Sequence, residues 1–268
     1  MNAPAEGRLL GVEQAAPRAG QRDGARYDSA NAPADDLLLA RRGTAYFRRG
    51  LDELSDADLD GPSLLPGWSR RHVVAHVGYN AWALAHLTTW ARTGVEEPMY
   101  GSPTERDEQI ALGATLPARA LRNLVDHSVT RLNVEWRDLT DEQWDAPVRT
   151  FHGRKITARE TAYMRAKEVW IHAVDLDNLG SFRDFPPALL DRLIADVIAA
   201  WARRGESVDL TLLPTDRPGA PDRGAIVVGS GAVTVTGASA DLARWLTGRG
   251  ARRLGSPGTG LPDIPVWL

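Results

Sequence analysis

Between Ala34 and Asp177, apolar side chains return at three- and four-residue steps in separate stretches long enough for several helical turns. That period commits each stretch to a helix with one dry face, and dry faces must be buried against one another. Asp35 and Asp36 suit a helix start near Ala34, and Leu37, Leu38, Tyr46, Phe47, Leu51 and Leu54 supply its stripe. After a loop from Ser55 to Pro66, Ser69 is placed to cap a second helix running to about Trp90, with Val73, Val74, Val77, Trp82, Leu84 and Leu87 inward. A connector from Thr93 to Pro103 leads into a short helix, Thr104 to Leu112. Pro117 opens a third long helix that ends near Leu139, striped by Leu121, Leu124, Val125, Val129, Leu132 and Trp136. Thr157 with Glu160 reads as a capping box for a fourth, from Ala158 to about Asp177. The expectation for residues 34–180 is a four-helix bundle.

The pattern changes after Gly180. Pro186-Pro187 opens another helix, Ala188 to Arg204, and strands follow at Val208 to Leu213, Ala225 to Val228 and Ala232 to Thr236. Gly229-Ser230-Gly231 predicts a hairpin between the last two strands, and Asp241 to Thr247 a closing helix. Residues 181–268 thus read as a small C-terminal α+β domain, making the fold class α plus α+β. Residues 1–33, rich in Ala, Gly, Pro, Arg and Gln, read as a flexible N-terminal extension, within which Leu9-Leu10-Gly11-Val12 offers a docking patch.

Bulk chemistry narrows the function. The 32 basic and 35 acidic residues are interspersed at a formal charge of -3, giving no basic face for nucleic acid. No apolar run approaches membrane-spanning length, and no signal-peptide core follows the N-terminal charges. The chain has no cysteine, which removes disulfides and zinc fingers and suits a reducing compartment. The expected location is the cytoplasm.

Within the bundle, Glu168 and His172 are four apart on one helix and so share a face, and His76 sits near the middle of another helix. Two imidazoles and a carboxylate from two helices can hold one divalent ion and leave a position open, the mark of a catalytic site and not a structural one. Zinc suits the set; iron(II), nickel and manganese also bind such donors. A surface Glu–His pair and a satisfied core histidine explain the same residues without a metal. His72 and His76 form a rival pair, but Val73 stands where a zinc-protease helix needs Glu, and His72 beside Arg70 and Arg71 is expected to be exposed. His86, His127 and His152 lack companions at ligand spacing.

The text around these positions is more specific than their spacing. "LPGWSRRHVVAHVGYNAWAL" (65–84), "MYGSPTERDEQIALGA" (99–114), "RAKEVWIHAVDL" (165–176) and "ADLARWLTGRG" (240–250) together resemble the mycothiol-dependent maleylpyruvate isomerase family. The resemblance runs from about Ala34 to Leu268 and implies a DinB-like bundle with a small C-terminal domain. It implies metal ligation by His76, Glu168 and His172, a catalytic arginine at Arg106 and, by looser alignment, another at Arg249. Asn80, one turn beyond His76, is a candidate for orienting the thiol, against the plainer reading of a solvent-facing helix asparagine. Asp175 and Asp177 either orient His172 or lie at the surface.

The implied cofactors are a divalent metal, zinc first, and mycothiol, the low-molecular-weight thiol of actinobacteria. The implied reaction is reversible thiolate addition to the cis double bond of an unsaturated dicarboxylic keto acid, with rotation and loss of the thiol giving the trans isomer. Arg106 is expected to stabilise the enolate charge or hold a carboxylate, and Arg249 to clamp the distal carboxylate. A thiol-less chain agrees with a borrowed nucleophile. Three alternatives stand beside this: a mycothiol S-transferase that conjugates the thiol to an electrophile and releases the conjugate, a non-catalytic metal-binding scaffold, and hydrolysis by metal-bound water.

Overall fold

Close approach of helix backbones shapes the first half of the molecule. In this computed structural model, which describes residues 27–217, 224–258 and 260–267, the bundle consists of α1 (Ala34–Asp52), α2 (Arg70–Thr93), α4 (Ala118–Asp138) and α5 (Glu160–Asp175), with the short α3 (Glu105–Ala114) laid against α2. Helix α2 packs along α4, α1 along α5, and α2 meets α5 across the middle. Two glycines permit this. A Cβ on Gly43 of α1 would lie 2.5 Å from Trp170 of α5, and one on Gly78 of α2 would lie 2.9 Å from Leu124 of α4. Leu37, Phe47, Val74, Leu84, Leu121, Leu132, Trp136 and Val169 form the dry interior.

Several sequence expectations change here. Leu38 and Trp82 were placed on buried stripes but are exposed, and Trp82 lies under the Arg131 guanidinium at 4.4 Å. His72 is not exposed: its ring accepts from the Ser69 backbone and completes the cap of α2. Thr157 does not cap α5, because residues around it form a hairpin of β1 (Pro147–Arg149) and β2 (Lys155–Thr157). Val148 and Ile156 are buried on one face of that hairpin, so hydrophobic alternation over only three residues outweighed the capping-box pattern. Glu160 pairs with Arg154 instead, at 3.0 Å.

The second part contains α6 (Pro187–Arg204), β3 (Leu210–Pro214), β4 (Ile226–Val228), β5 (Val233–Gly237) and α7 (Ser239–Leu246). The expected hairpin between the last two strands is absent. The sheet order is β4-β3-β5, with β3 antiparallel to β4 and parallel to β5. The Gly-Ser-Gly loop crosses the end of the central strand, held because Ser230 N–H donates to Asp209 Oδ1 (2.6 Å) and Val233 N–H to the Asp209 carbonyl (3.1 Å). Strand β3 buries Leu210, Leu212 and Pro214 on one face, and α6 and α7 pack together beside the sheet.

Both parts are stitched together by Lys167–Asp196 (2.8 Å) and an Arg192–Asp36 ion pair, while Arg183–Asp241 (2.9 Å) braces the second part internally. Of the expected N-terminal extension, Leu9 to Val12 lie outside the described residues. Its described end is anchored, with Asp28 on Arg41 (2.6 Å) and Asn31 N–H on Asp141 (2.8 Å). Among the described residues no helix is long and apolar enough to cross a membrane.

Candidate metal centre

Helix α2 begins where α5 ends, and Arg70 fixes that relation: its guanidinium donates to the carbonyls of Leu176 (2.6 Å) and Asp177 (3.0 Å). These are among the last carbonyls at the end of α5, where a cation is favoured. With the two helices so tied, His76 of α2 faces Glu168 and His172 of α5. His76 Nε2 is 2.8 Å and His172 Nε2 3.2 Å from the same Glu168 oxygen, and the two rings stand 4.6 Å apart at 86°. One donor atom from each residue lies within 4.8 Å of the others. The His76 and His172 side chains are only 6% and 12% exposed and Glu168 28%, so the cluster opens to solvent on the Glu168 side. Trp68 walls it at 5.7 Å from the His76 ring.

The donor set fits a cation. His172 Nδ1 lies 2.9 Å from Asp175 Oδ2, so N–H sits there and the Nε2 lone pair points at Glu168. A lone pair facing a carboxylate oxygen needs a proton or a metal ion between them. Burial pushes the His76 imidazole down to about 4, against its bond to Glu168, so this ring stays a neutral donor. Burial also opposes the Glu168 carboxylate, yet bonds from His172 and His76 hold it well below the usual range. For His172, burial is outweighed by Asp175 and Glu168, and its pKa is raised. His76 Nδ1 is buried with no hydrogen-bond partner, leaving its Nε2 as the atom committed to the cluster.

Asp175 is the side chain whose role sequence left open: it is fully buried and orients His172. Its other contact is Arg249, which donates through Nε (3.1 Å) and Nη2 (2.7 Å), and through Nη1 to the Thr247 carbonyl. Arg249, expected to clamp a substrate carboxylate, therefore has its fork engaged by Asp175 and joins the C-terminal part to a candidate ligand. Asp177 contributes its carbonyl to Arg70 and not its carboxylate to the cluster. Asn80 does not face solvent. It is 6% exposed, and its Oδ1 accepts from Arg165 Nη1 at 2.9 Å. Arg165 also donates to the Val77 carbonyl (2.7 Å); burial lowers its pKa to about 10, with the field of Glu168 opposing.

Arg106, on α3, pairs with Asp107 at 2.7 Å and acts on His76 through space. Its charge also acts on Tyr100, a residue not singled out from the sequence. Burial pushes that phenol up to about 12, with Arg106 pulling it down and Glu168 adding to the rise. Tyr100 and Arg165 were not legible because nothing local distinguishes a phenol or guanidinium that faces a site from one that faces water, and for Asp175 the sequence left the orienting role and a surface position both open.

A helix bundle that gathers two imidazoles and one carboxylate from facing helices, open on one side, belongs to the class of metal-binding bundles with catalytic-type centres. The sequence pattern described as the mycothiol maleylpyruvate isomerase N-terminal domain matches residues 40–177. The crystal structure of the mycothiol-dependent maleylpyruvate isomerase superposes with a TM-score of 0.82 at 42% identity, covering 87% of this chain and 96% of that one. A histidine-to-alanine mutant of that isomerase superposes with a TM-score of 0.81 at 42% identity over the same shares. The chain belongs to the mycothiol-dependent maleylpyruvate isomerase family. YfiT from Bacillus subtilis, described as a probable metal-dependent hydrolase with an unusual four-helix bundle topology, aligns at 17% identity and a TM-score of 0.47 over 68% of this chain and 93% of that one, too distant to argue from. No curated protein matches the chain.

Proposed function

We propose that this protein is a metal- and mycothiol-dependent cis–trans isomerase of an unsaturated dicarboxylic keto acid, of the maleylpyruvate-to-fumarylpyruvate type. The observation that carries the reading is 42% identity to the isomerase over 96% of its length, together with the His76–Glu168–His172 cluster in the matching bundle. These three residues are the ligands, and zinc is the metal their donor types favour. When bound, the ion supplies Lewis acidity that keeps a coordinated thiol deprotonated near neutral pH. Mycothiol supplies the sulfur nucleophile that the chain itself lacks, and its reversible addition lets the former double bond rotate.

The protein's residues do the rest. Asp175 holds His172 in the tautomer that turns Nε2 inward, and Arg249 keeps Asp175 ionised and in place. Arg106 offers positive charge on the open side, where a substrate carboxylate or developing enolate is stabilised. Asn80 acts from behind, steadying Arg165 beneath Glu168.

The test is turnover of the cis keto acid followed by NMR, with and without mycothiol, on metal-loaded protein and on chelator-treated protein. Isomerisation should require both partners and leave the thiol unconsumed. Consumption of one thiol per product, or reaction without any thiol, would overturn the proposal. His76→Ala and His172→Ala should each lose the metal found stoichiometrically in wild type.

A further inference from the structure

Packing between α2 and α5 is sparser than between α2 and α4 or between α1 and α5, yet the metal cluster draws its donors from that pair. Two arginines cross the gap in opposite directions. Arg70 of α2 donates to the Leu176 (2.6 Å) and Asp177 (3.0 Å) carbonyls at the end of α5, and to the Asp58 carbonyl (3.0 Å). Arg165 of α5 donates from Nη1 to the Val77 carbonyl (2.7 Å) and to Asn80 Oδ1 (2.9 Å) of α2. The start of α2 is thus tied to the end of α5, and its middle to a point further back along α5. These two ties bracket the site. His76 lies between Arg70 and Val77 on one helix, and Glu168 and His172 lie between Arg165 and Leu176 on the other.

We propose that Arg70 and Arg165 are positioning residues that act together as a register clamp, holding the three donors in a preformed set before an ion arrives; this rests on the ligand assignment above. A single tie stops a helix from sliding but lets it pivot about that point. Two ties on either side of the ligands stop both motions. Precision matters because a slip of one residue along a helix moves a side chain by about 1.5 Å, whereas a zinc–nitrogen bond is only about 2 Å long. A planar guanidinium holds two acceptors in fixed directions, which an ammonium on a flexible stem does not. Every acceptor in the two ties is a carbonyl or amide oxygen, so the ties hold whatever the protonation of the ligands.

The experiment titrates cobalt(II), which takes zinc-type donor sets, into full-length metal-free protein, with affinity read by chelator competition and coordination by the visible spectrum. Arg70→Lys and Arg165→Lys should each weaken cobalt binding about tenfold or more and lower the d–d absorption of the saturated protein, as a displaced donor gives way to water. The double variant should lose less than the product of the two single losses, because breaking either tie already frees the register. Leu212→Ala, a core truncation in β3, should lower the thermal midpoint and keep the cobalt affinity and spectrum of wild type. Arg70 is only half-buried, so its variant gives an answer even where Arg165→Lys fails to fold. Wild-type affinity and spectrum in Arg70→Lys overturn the clamp, as do losses that simply multiply in the double variant or an equal loss in Leu212→Ala. A wild type that takes up no cobalt removes the ligand assignment itself, whereas a wild type that binds it beside unchanged lysine variants removes the clamp alone.

Discussion

His172 is held at both ends, by Glu168 at Nε2 and by Asp175 at Nδ1, and the second contact decides which nitrogen carries the proton. Replacing Asp175 with Asn removes the charge but keeps the shape. Metal affinity, read by chelator competition, should fall about 10- to 100-fold, while the helical circular dichroism is unchanged. Arg165 is the other residue whose weight comes from burial. Its guanidinium is 1% exposed and serves the Val77 carbonyl and Asn80, so Arg165→Met strands both acceptors. Denaturant unfolding should show a loss of about 3 kcal/mol. At this scale, His76, Glu168 and His172 stand out in the sequence because helical spacing and donor chemistry are local properties. Asp175 is also only three residues from His172, yet its other partner, Arg249, is 74 residues away, and no local pattern carries that contact.

Among the elements, the tightest constraint is the contact of α1 with α5. Alanine is a better helix former than glycine by about 1 kcal/mol, so propensity alone favours Gly43→Ala. The added methyl would instead run into Trp170 and Val169 at 2.5 and 2.6 Å, and overpacking of this kind costs roughly 1–3 kcal/mol. The expected result is a lower thermal midpoint, and a higher one would mean that the two helices have room to separate. The long helices were readable because their stripes repeat over many turns. The β1–β2 hairpin was not, since three-residue strands hold too few alternations to be told from loop. The pairing of β3 with both neighbours escaped for a different reason: strand identity is a local property, whereas strand order depends on which apolar faces meet.

Over the whole molecule, phenols with raised pKa values set the alkaline limit of the fold, and one of them, Tyr46, joins the two parts through Asp184. Burial and a bond to Asp184 push Tyr46 up to about 12, burial does the same for Tyr100, and Tyr163 is raised as well, chiefly by burial. A phenol whose folded pKa exceeds its unfolded value near 10 contributes stability below that pH. That contribution disappears as pH rises from 10 through 12. Phenolate absorbance of the native protein should therefore lag behind that of the urea-unfolded chain, and unfolding should release the remaining protons; coincident titration curves would contradict this. Arg249 gives the second prediction at this scale. Arg249→Met lies in the C-terminal part, yet by freeing Asp175 it should loosen metal in the bundle, measured by the same chelator competition. Sequence alone determined the helical period, the succession of bundle and α+β segments, and a three-residue donor set, because periodicity and ligand chemistry reside in neighbouring residues. Tertiary structure decided which carboxylate orients His172, where Arg249 points and how the strands are ordered, because each of these is a contact between distant segments that exists only once the faces are packed.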